Sequence, residues 1–407
     1  MTLYEVLTTR GLLKDVSDVT LATKLLNETS TAFYCGFDPT GESLTVGHLV
    51  QIVRMKLLQS YGHKPIVLIG GATGLIGDPK QTSERKLLTL EASLENAAKI
   101  EKQLKHFLGE QALYVNNYDW IKDIDMISFL RDYGKQFSIN YMLAKDTVSK
   151  RLETGISYTE FSYMLIQAID FLYLYDHHDC HIQFGGSDQW GNITTGLELI
   201  RKNHEKSTAV GLSSPLLLKA DGTKFGKSES GTLWLDETLT SPYELYQYFV
   251  NASDDDVLNY FNMLTLLSDD DIQTYIERMK DAPHLREAQK KLAEEVVRMV
   301  HGEDALKRSI KVTEALFQGT FDALDEASLK MLQKTLDQTK TTSIIDALIE
   351  LNLAQSKREA REFLSHGAIT INGLKVDEYT QLTDDMFLHH MCAVIRRGKK
   401  KYGMIIK

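Results

Sequence analysis

The chain has 407 residues, of which 43% are hydrophobic and 25% charged, enough for two or three domains with a sizeable core. Its net charge of −10 excludes non-specific nucleic-acid binding over the whole surface, and no apolar run is long enough to span a membrane as a helix. The start Met1-Thr2-Leu3-Tyr4-Glu5 has no basic region leading into an apolar one, and Cys35, Cys180 and Cys392 lack C-x-x-C spacing. A reducing, cytoplasmic setting without a membrane is therefore expected.

After a helical arm ending near Leu26, Ala32 to Phe37 has the texture of a buried strand, Asp38-Pro39-Thr40-Gly41 is turn chemistry, and Leu49, Ile52, Val53 and Leu57 fall at helical spacing. Gly47 and His48 then stand in the opening turn of a helix, where free N–H groups and the positive dipole end favour an anion. The turn suits a nucleotide, although it is neither G-x-G-x-x-G nor a P-loop; a plain strand-turn-helix with a solvated His48 is the alternative. Lys64 to Gly70 predicts a second buried strand, and strand-helix-strand predicts a parallel sheet. It enters a loop, Gly70 to Pro79, whose four glycines allow close approach of a ligand and which ends with the carboxylate of Asp78. A tight turn with a solvent-facing Asp78 would look the same.

Phe161 to Tyr175 is apolar nearly all round and predicts a buried helix, yet Tyr163, Gln167 and Asp170 stand at i, i+4 and i+7 on one face. A buried Asp needs a partner, so this stripe either binds a polar ligand or forms a seam facing water. Cys180 to Phe184 reads as another strand running into Gly185-Gly186-Ser187-Asp188-Gln189-Trp190-Gly191-Asn192, and the carboxyl ends of strands are where doubly wound sheets bind ligands. His177, His178, Cys180 and His181 match no zinc spacing, and no protein metal site is expected. Leu218 to Gly231 is a glycine-punctuated loop in which Lys224 and Lys227 bracket Phe225-Gly226, suited to closing on a triphosphate. From Ser241 to Gln318, acidic clusters after Ser253 and Ser268 read as helix starts in an all-helical run.

The residues from Thr341 onward carry ten Lys and Arg against eight Asp and Glu, or +2, which leaves −12 for the first 340. Any RNA contact must be local. Two helices, the first strand Ile369-Thr370-Ile371, a turn at Asn372-Gly373 and a last hairpin follow in this tail. A helix with Lys357, Arg358 and Arg361 beside a turn with Arg396, Arg397, Lys399, Lys400 and Lys401 would meet folded RNA through its phosphates; a solvated charged tail is the alternative.

Thr45-Val46-Gly47-His48 resembles the HIGH signature of class I aminoacyl-tRNA synthetases, with Thr45 where the family usually has histidine, and Lys224-Phe225-Gly226-Lys227-Ser228 resembles the KMSKS signature. With Tyr34 to Thr40, Gly70 to Pro79, Tyr163 to Asp170 and Gly185 to Asn192, the chain is similar from about Tyr4 to its end to the bacterial tyrosyl-tRNA synthetases. The resemblance implies an α/β, doubly wound, Rossmann-like catalytic domain (1–215), a mobile loop and connector (216–240), a helical anticodon-arm domain (241–320), a linker (321–342) and a small α+β RNA-binding module (343–407). It also implies attachment of L-tyrosine to tRNA(Tyr) through tyrosyl-adenylate, with ATP as substrate accompanied by Mg²⁺, and a homodimer with Tyr158 at the interface. Residue by residue, Tyr34 and Asp170 would hold the phenolic hydroxyl, and Asp78, Tyr163 and Gln167 the ammonium, with Gln189 near the carboxylate. Cys35, Gly36, Asp38, Gly47, His48, Gly186, Asp188 and the stretch Lys224, Phe225, Gly226, Lys227, Ser228 would line the ATP site. Thr40, Thr45, His48, Lys224, Lys227 and Arg85 would act on the transition state. A tryptophanyl enzyme and an RNA-binding scaffold without catalysis are the rivals.

Overall fold

A computed structural model describes the chain except residues 79–86, 153, 154, 224, 229, 230 and 400, and except the side chains of 146, 147, 227 and 228. It divides into two compact units, residues 1–235 with 253–283 and residues 236–252 with 284–407.

The first unit is built on five strands, β1 (Ala32–Phe37), β2 (Lys64–Ile69), β3 (Leu113–Asn116), β4 (Cys180–Gly186) and β5 (Val210–Ser214). Their order is β3-β2-β1-β4-β5 and every neighbouring pair is parallel. β1 and β2 have only one exposed residue each, the composition expected of strands covered on both faces. The chain leaves β1 for β2 on one side and returns to β4 on the other, so a crevice opens where the order reverses, outside the carboxyl ends of β1 and β4. Helices Leu49–Ser60, Leu90–Leu108, Tyr158–His178 and Trp190–Asn203 supply the crossovers and cover. The N-terminal arm closes the β5 edge, Lys14 N–H donating to Ser213 O at 2.8 Å and Val16 bridging Leu212. Sequence periodicity passed over β3 and the 90–108 helix: β3 is four residues long and only half-buried.

Two of the acidic clusters open helices, Asp254–Leu264 after Ser253 and Asp269–Asp281 after Ser268, whose side chain accepts the Asp271 N–H. These two helices belong to the first unit, whereas Pro242–Val250 and Glu287–Gln318 belong to the second. The stretch 321–342 is not the expected linker. Glu326–Gln333 is a helix capped by Asp325, Phe321, Leu324, Leu329 and Leu332 are buried in one cluster with Val394 and Met404, and Gln338–Thr339 pairs in parallel with Lys401–Ile406. A polar composition hid apolar residues that recur at helical spacing. The tail follows its reading: helices Ile344–Glu350 and Lys357–Ser365, strand Ile369–Ile371, and the hairpin Cys392–Arg397 with Lys401–Ile406. Asn372 and Gly373 both have positive φ, 49° and 89°, as the tight turn between antiparallel strands 369–371 and 374–375 demands.

Candidate functional site

A cavity of about 300 Å³ lies in the first unit at the carboxyl ends of β1 and β4. It brings together Tyr34, Cys35, Gly36, Asp38 and Thr40 from β1 and its turn, Gly47 and His48 from the next helix start, and Asp78 after β2. Tyr163, Gln167 and Asp170 enter from the 158–178 helix, and Gly186, Asp188 and Gln189 from the end of β4. The polar stripe of the buried helix thus faces a cavity and not a water-filled seam.

At the inner end, Asp170 is 1% exposed and accepts from Asn117 Nδ2 at 3.0 Å and Trp120 Nε1 at 2.9 Å. Burial pushes its pKa up to about 7 against those two donors. Tyr34, 2% exposed, has a hydroxyl with no hydrogen-bond partner among the described residues, and burial and then the charge of Asp170 hold it far above the usual phenol range. A neutral, unpartnered donor therefore stands beside a carboxylate. Such a group costs free energy unless something arrives to pair with it.

Two carboxylates, Asp78 held by amides and Asp38 held by hydroxyls, make the middle. Asp78 accepts from Gln189 Nε2 at 2.8 Å and Asn192 Nδ2 at 3.2 Å, and the same Asn192 amide reaches Gln167 Oε1 at 3.2 Å. Burial raises Asp78 to about 6, opposed by the Gln189 amide and reinforced by Asp38 and Asp188. The Tyr163 hydroxyl donates to Asp38 Oδ2 at 2.8 Å, and Thr73 Oγ1 to Asp38 Oδ1 at 2.7 Å. Tyr163 keeps its oxygen lone pairs for an incoming donor. A Cβ at Gly70 would overlap both Asp38 Oδ1 and Thr73 Oγ1, which is the structural need for that glycine. Negative charge crowded on this scale suits a cation.

At the outer end, His48 Nδ1 accepts the Thr45 N–H at 2.9 Å, so the remaining ring proton is assigned to Nε2. Burial lowers its pKa to about 4, leaving a neutral N–H donor at physiological pH. Thr45 itself is not on the cavity lining; its hydroxyl is 3.0 Å from His48 Nδ1. The turn is pinned from downstream: Val46 N–H donates to Leu233 O at 3.0 Å, Leu235 N–H to Leu44 O at 2.8 Å, and Thr45 bridges Trp234. Phe225 is buried against Tyr260, ring centroids 5.0 Å apart, and a Cβ on Gly226 would stand 3.6 Å from Gly47 N. The base of the lysine-bearing loop therefore lies against the opening helix turn. Lys224 and Arg85 lie outside the described residues, as do the side chains of Lys227 and Ser228.

Sequence reasoning missed Asn117 and Trp120, the holders of Asp170, because the strand before them went unread; Asn116-Asn117-Tyr118-Asp119-Trp120 is a polar cluster at a strand's carboxyl end and could have flagged them. It also missed Arg54, 1% exposed, whose guanidinium lies 4.3 Å from the Phe184 ring centroid, donates to Gly185 O at 3.1 Å and hydrogen-bonds Gln51. The signal was a cation on the apolar face of the 49–60 helix.

The expected RNA patch in the second unit is rearranged. Arg397 donates to Leu353 O at 2.5 Å and covers the Phe363 ring at 4.7 Å, and the Arg396 Nε is buried. The two arginines lie on opposite faces of a mid-sheet strand and each is half-buried, Arg397 on the face of the buried Ala393 and Ile395 and Arg396 on that of Cys392 and Val394. Lys357 pairs with Asp346 at 2.9 Å, while Arg358, Arg361, Lys399 and Lys401 are exposed; Lys400 lies outside the described residues.

Residues 26–318 match the family model described as tRNA synthetases class I (W and Y), and residues 325–405 match the tyrosine--tRNA ligase SYY-like C-terminal domain. The chain is 50% identical over 412 residues, covering 100% of both chains, to tyrosine--tRNA ligase of Onion yellows phytoplasma (strain OY-M). It is 49% identical over 407 residues, 97% of each, to that of Geobacillus stearothermophilus. Among solved structures, a C-terminally truncated mitochondrial tyrosyl-tRNA synthetase from Aspergillus nidulans superposes with a TM-score of 0.69 at 31% identity, over 78% of this chain and 94% of that one. A tryptophanyl-tRNA synthetase from Encephalitozoon cuniculi, at 13% identity and a TM-score of 0.56, shares the fold alone. The family models and these relatives place the chain in the class I aminoacyl-tRNA synthetases, within the tyrosine--tRNA ligase family.

Proposed function

We propose that the cavity is where tyrosine and ATP are joined, with the phenol at Tyr34 and Asp170 and the nucleotide toward Gly47 and His48. The chain is a tyrosine--tRNA ligase, which uses ATP to charge tRNA(Tyr) with tyrosine. The observation that carries the residue assignment is the unpartnered Tyr34 hydroxyl beside a carboxylate held by two N–H donors. A phenolic OH satisfies both at once, accepting from Tyr34 and donating to Asp170. Tryptophan has no hydroxyl there and would leave Tyr34 unpaired and Asp170 without the further donor.

The ammonium of tyrosine is then met by Asp78, by the Tyr163 oxygen and by Gln167, and its carboxylate is left facing Gln189 and the nucleotide. That carboxylate attacks the α-phosphate, the bond to the bridging oxygen breaks, and pyrophosphate leaves with the electron pair. No protein nucleophile is needed, so the work is positioning and charge stabilisation. The neutral Nε2–H of His48 and the backbone at Gly36, Gly47 and Gly186 hold the nucleotide, alongside Cys35, Asp38 and Asp188. Thr40, Lys224, Lys227 and Arg85 answer the charge growing on pyrophosphate, and Mg²⁺ enters on the phosphates of ATP. In the second step the terminal ribose hydroxyl of tRNA takes the tyrosyl group and AMP leaves.

A second copy of the chain fits an apolar depression in the first unit that is lined by Ile121, Met126, Phe129, Tyr158 and Ile166, with Met126 75% and Tyr158 68% exposed. A homodimer through this face is the assembly we infer, and Tyr158→Asp should yield monomers in sedimentation. Among the described residues no helix is long and apolar enough to cross a membrane, and the cytoplasm is the setting we infer. The test of the whole reading is pyrophosphate exchange into ATP with each aromatic amino acid. Exchange driven by tyrosine alone is expected; equal exchange with tryptophan would overturn the assignment of the inner end.

A further inference from the structure

Asp170, Tyr173 and His177 lie at i, i+3 and i+7 on the Tyr158–His178 helix, so the polar stripe of Tyr163, Gln167 and Asp170 continues past the cavity. The continuation is aromatic. Tyr173 stacks on the Trp120 indole with centroids 4.3 Å apart and planes 12° apart, and His177 stacks on Tyr173 in turn at 4.2 Å and 20°. His177 Nδ1 also donates to the Tyr173 carbonyl oxygen at 2.9 Å, one turn back on the helix. The three rings thus form a column that begins at the indole whose Nε1–H holds Asp170 at 2.9 Å and ends at exposed His177.

The column matters because of where Trp120 sits. It belongs to a four-residue helix, Tyr118–Ile121, that follows the short strand β3, and its ring is only half-buried. The plane of the indole is set by the groups that pack on it, and an N–H···O bond weakens steeply as its angle closes. The 158–178 helix provides both the acceptor, Asp170, and one turn later the flat surface, Tyr173, that aligns the donor. We propose that Tyr173, backed by His177, is a positioning residue for substrate selection: it holds Trp120 in the plane in which Nε1–H meets Asp170, and so governs how firmly Asp170 receives the phenolic hydroxyl of tyrosine. The inference rests on the reading of Asp170 given above.

The test is pyrophosphate exchange with tyrosine and with phenylalanine, in Tyr173→Leu, Tyr173→Phe, Trp120→Phe and the Tyr173→Leu/Trp120→Phe double variant. Loss of one offset stack should raise the KM for tyrosine by about three- to ten-fold in Tyr173→Leu and narrow the preference over phenylalanine by a similar factor. The KM for ATP and kcat should stay within about two-fold of the parent, since the nucleotide half is untouched. Tyr173→Phe keeps the ring and should match the parent, and Tyr173→Leu should add nothing to Trp120→Phe, because its effect passes through the indole. If the Leu variant does not fold, Tyr173→Met, which keeps bulk without a plane, takes its place. An unchanged KM for tyrosine in the folded Leu or Met variant would overturn the inference, as would a full further loss on top of Trp120→Phe. Asp170→Asn run in parallel separates the two levels. If it too leaves the preference intact, the reading of Asp170 fails; if it removes the preference while Tyr173→Leu is silent, only the column fails.

Discussion

The cavity and the C-terminal module both carry charge, but water treats the two sets differently. Asp78 and Asp170 sit where ionisation is costly, each with two N–H donors from side chains on other elements and with a pKa pushed up toward neutrality. In the C-terminal module Arg358, Arg361, Lys399 and Lys401 stand in solvent, while in the same basic stretch Arg397 fastens onto the Leu353 carbonyl and the Phe363 ring and Arg396 is half-buried. A buried charge must be answered, by the protein or by a ligand, so its surroundings disclose its task. An exposed charge need not be answered, and its neighbours in sequence disclose little.

The sharpest way to break this contrast is at the most deeply buried carboxylate. Asp170→Asn keeps the shape but turns one oxygen into an NH₂ that faces either Trp120, Asn117 or the ligand, all of which need an acceptor. Loss of a charged acceptor on this scale should cut kcat/KM for tyrosine by roughly ten- to a hundred-fold and cut it far less for phenylalanine. Unchanged discrimination in a folded variant would remove Asp170 from the pocket and with it the contrast.

On the surface side, Arg358, Arg361, Lys399 and Lys401 replaced together by Ala should weaken tRNA binding by about ten-fold or more at low salt and flatten its salt dependence, since fewer phosphates are neutralised. Tyrosyl-adenylate formation should not change. Arg396→Ala and Arg397→Ala should instead lower the melting temperature, with a salt slope like the parent's. Filter binding across a salt series and thermal melts separate the two groups. A lowered slope in the Arg396 and Arg397 variants would show that these side chains leave the sheet to meet RNA.

The same contrast explains how far the sequence could be read. The stripe Tyr163, Gln167, Asp170 was legible because an acid on an apolar helix needs a reason, and the glycine-flanked strand ends were legible because a doubly wound sheet binds there. Asn117 and Trp120 were not, since they act on Asp170 across space from a short, half-buried strand. Nor was the packing of 321–342, where Phe321, Leu324, Leu329 and Leu332 are diluted by polar residues, or the half-burial of Arg396 and Arg397, which depends on strand register.

The raised carboxylate pKa values give a test by pH. Burial pushes the folded-state pKa of Asp78 up to about 6 and that of Asp170 up to about 7, well above the ordinary carboxylate range, so the folded state binds the extra protons. Their contribution to stability is complete below about pH 4 and is lost as pH rises through 6 to 7. The melting temperature of the empty protein should fall over that window, less so in Asp170→Asn. In the assignment proposed above binding runs the other way, because the ammonium of tyrosine would be met by ionised Asp78. The KM for tyrosine should rise several-fold as pH drops from about 7 to 5, and Asp78→Asn should flatten the profile at a higher KM. A pH-independent KM in the parent would place the ammonium elsewhere.

Thr45 lies between the two regimes: neutral, half-buried, and at the position where the family usually has histidine. The resemblance makes it a donor to the terminal phosphate in the transition state, but its hydroxyl lies 3.0 Å from His48 Nδ1, sharing that nitrogen with its own backbone N–H, in the N-cap position of the short turn Val46–His48. The backbone N–H of Thr45 already fills Nδ1 at 2.9 Å and survives any substitution, so the tautomer of His48 does not depend on the hydroxyl. Thr45→Ala should therefore slow adenylate formation by no more than about three-fold and cost about 0.5–1 kcal/mol of stability, as loss of an N-cap hydroxyl does. Thr45→Ser should behave as the parent. Thr45→His is the informative variant, because an imidazole restores the residue type usual in the family at this position, the donor that the resemblance gives to the phosphate. If single-turnover rates rise in Thr45→His while Ala is nearly silent, threonine serves the fold here and the phosphate is left to Thr40 and the loop lysines. If Ala instead slows the forward step by ten-fold or more with ATP affinity unchanged, the hydroxyl turns outward when ATP binds, and a side chain with a partner inside the protein has a second one in the transition state.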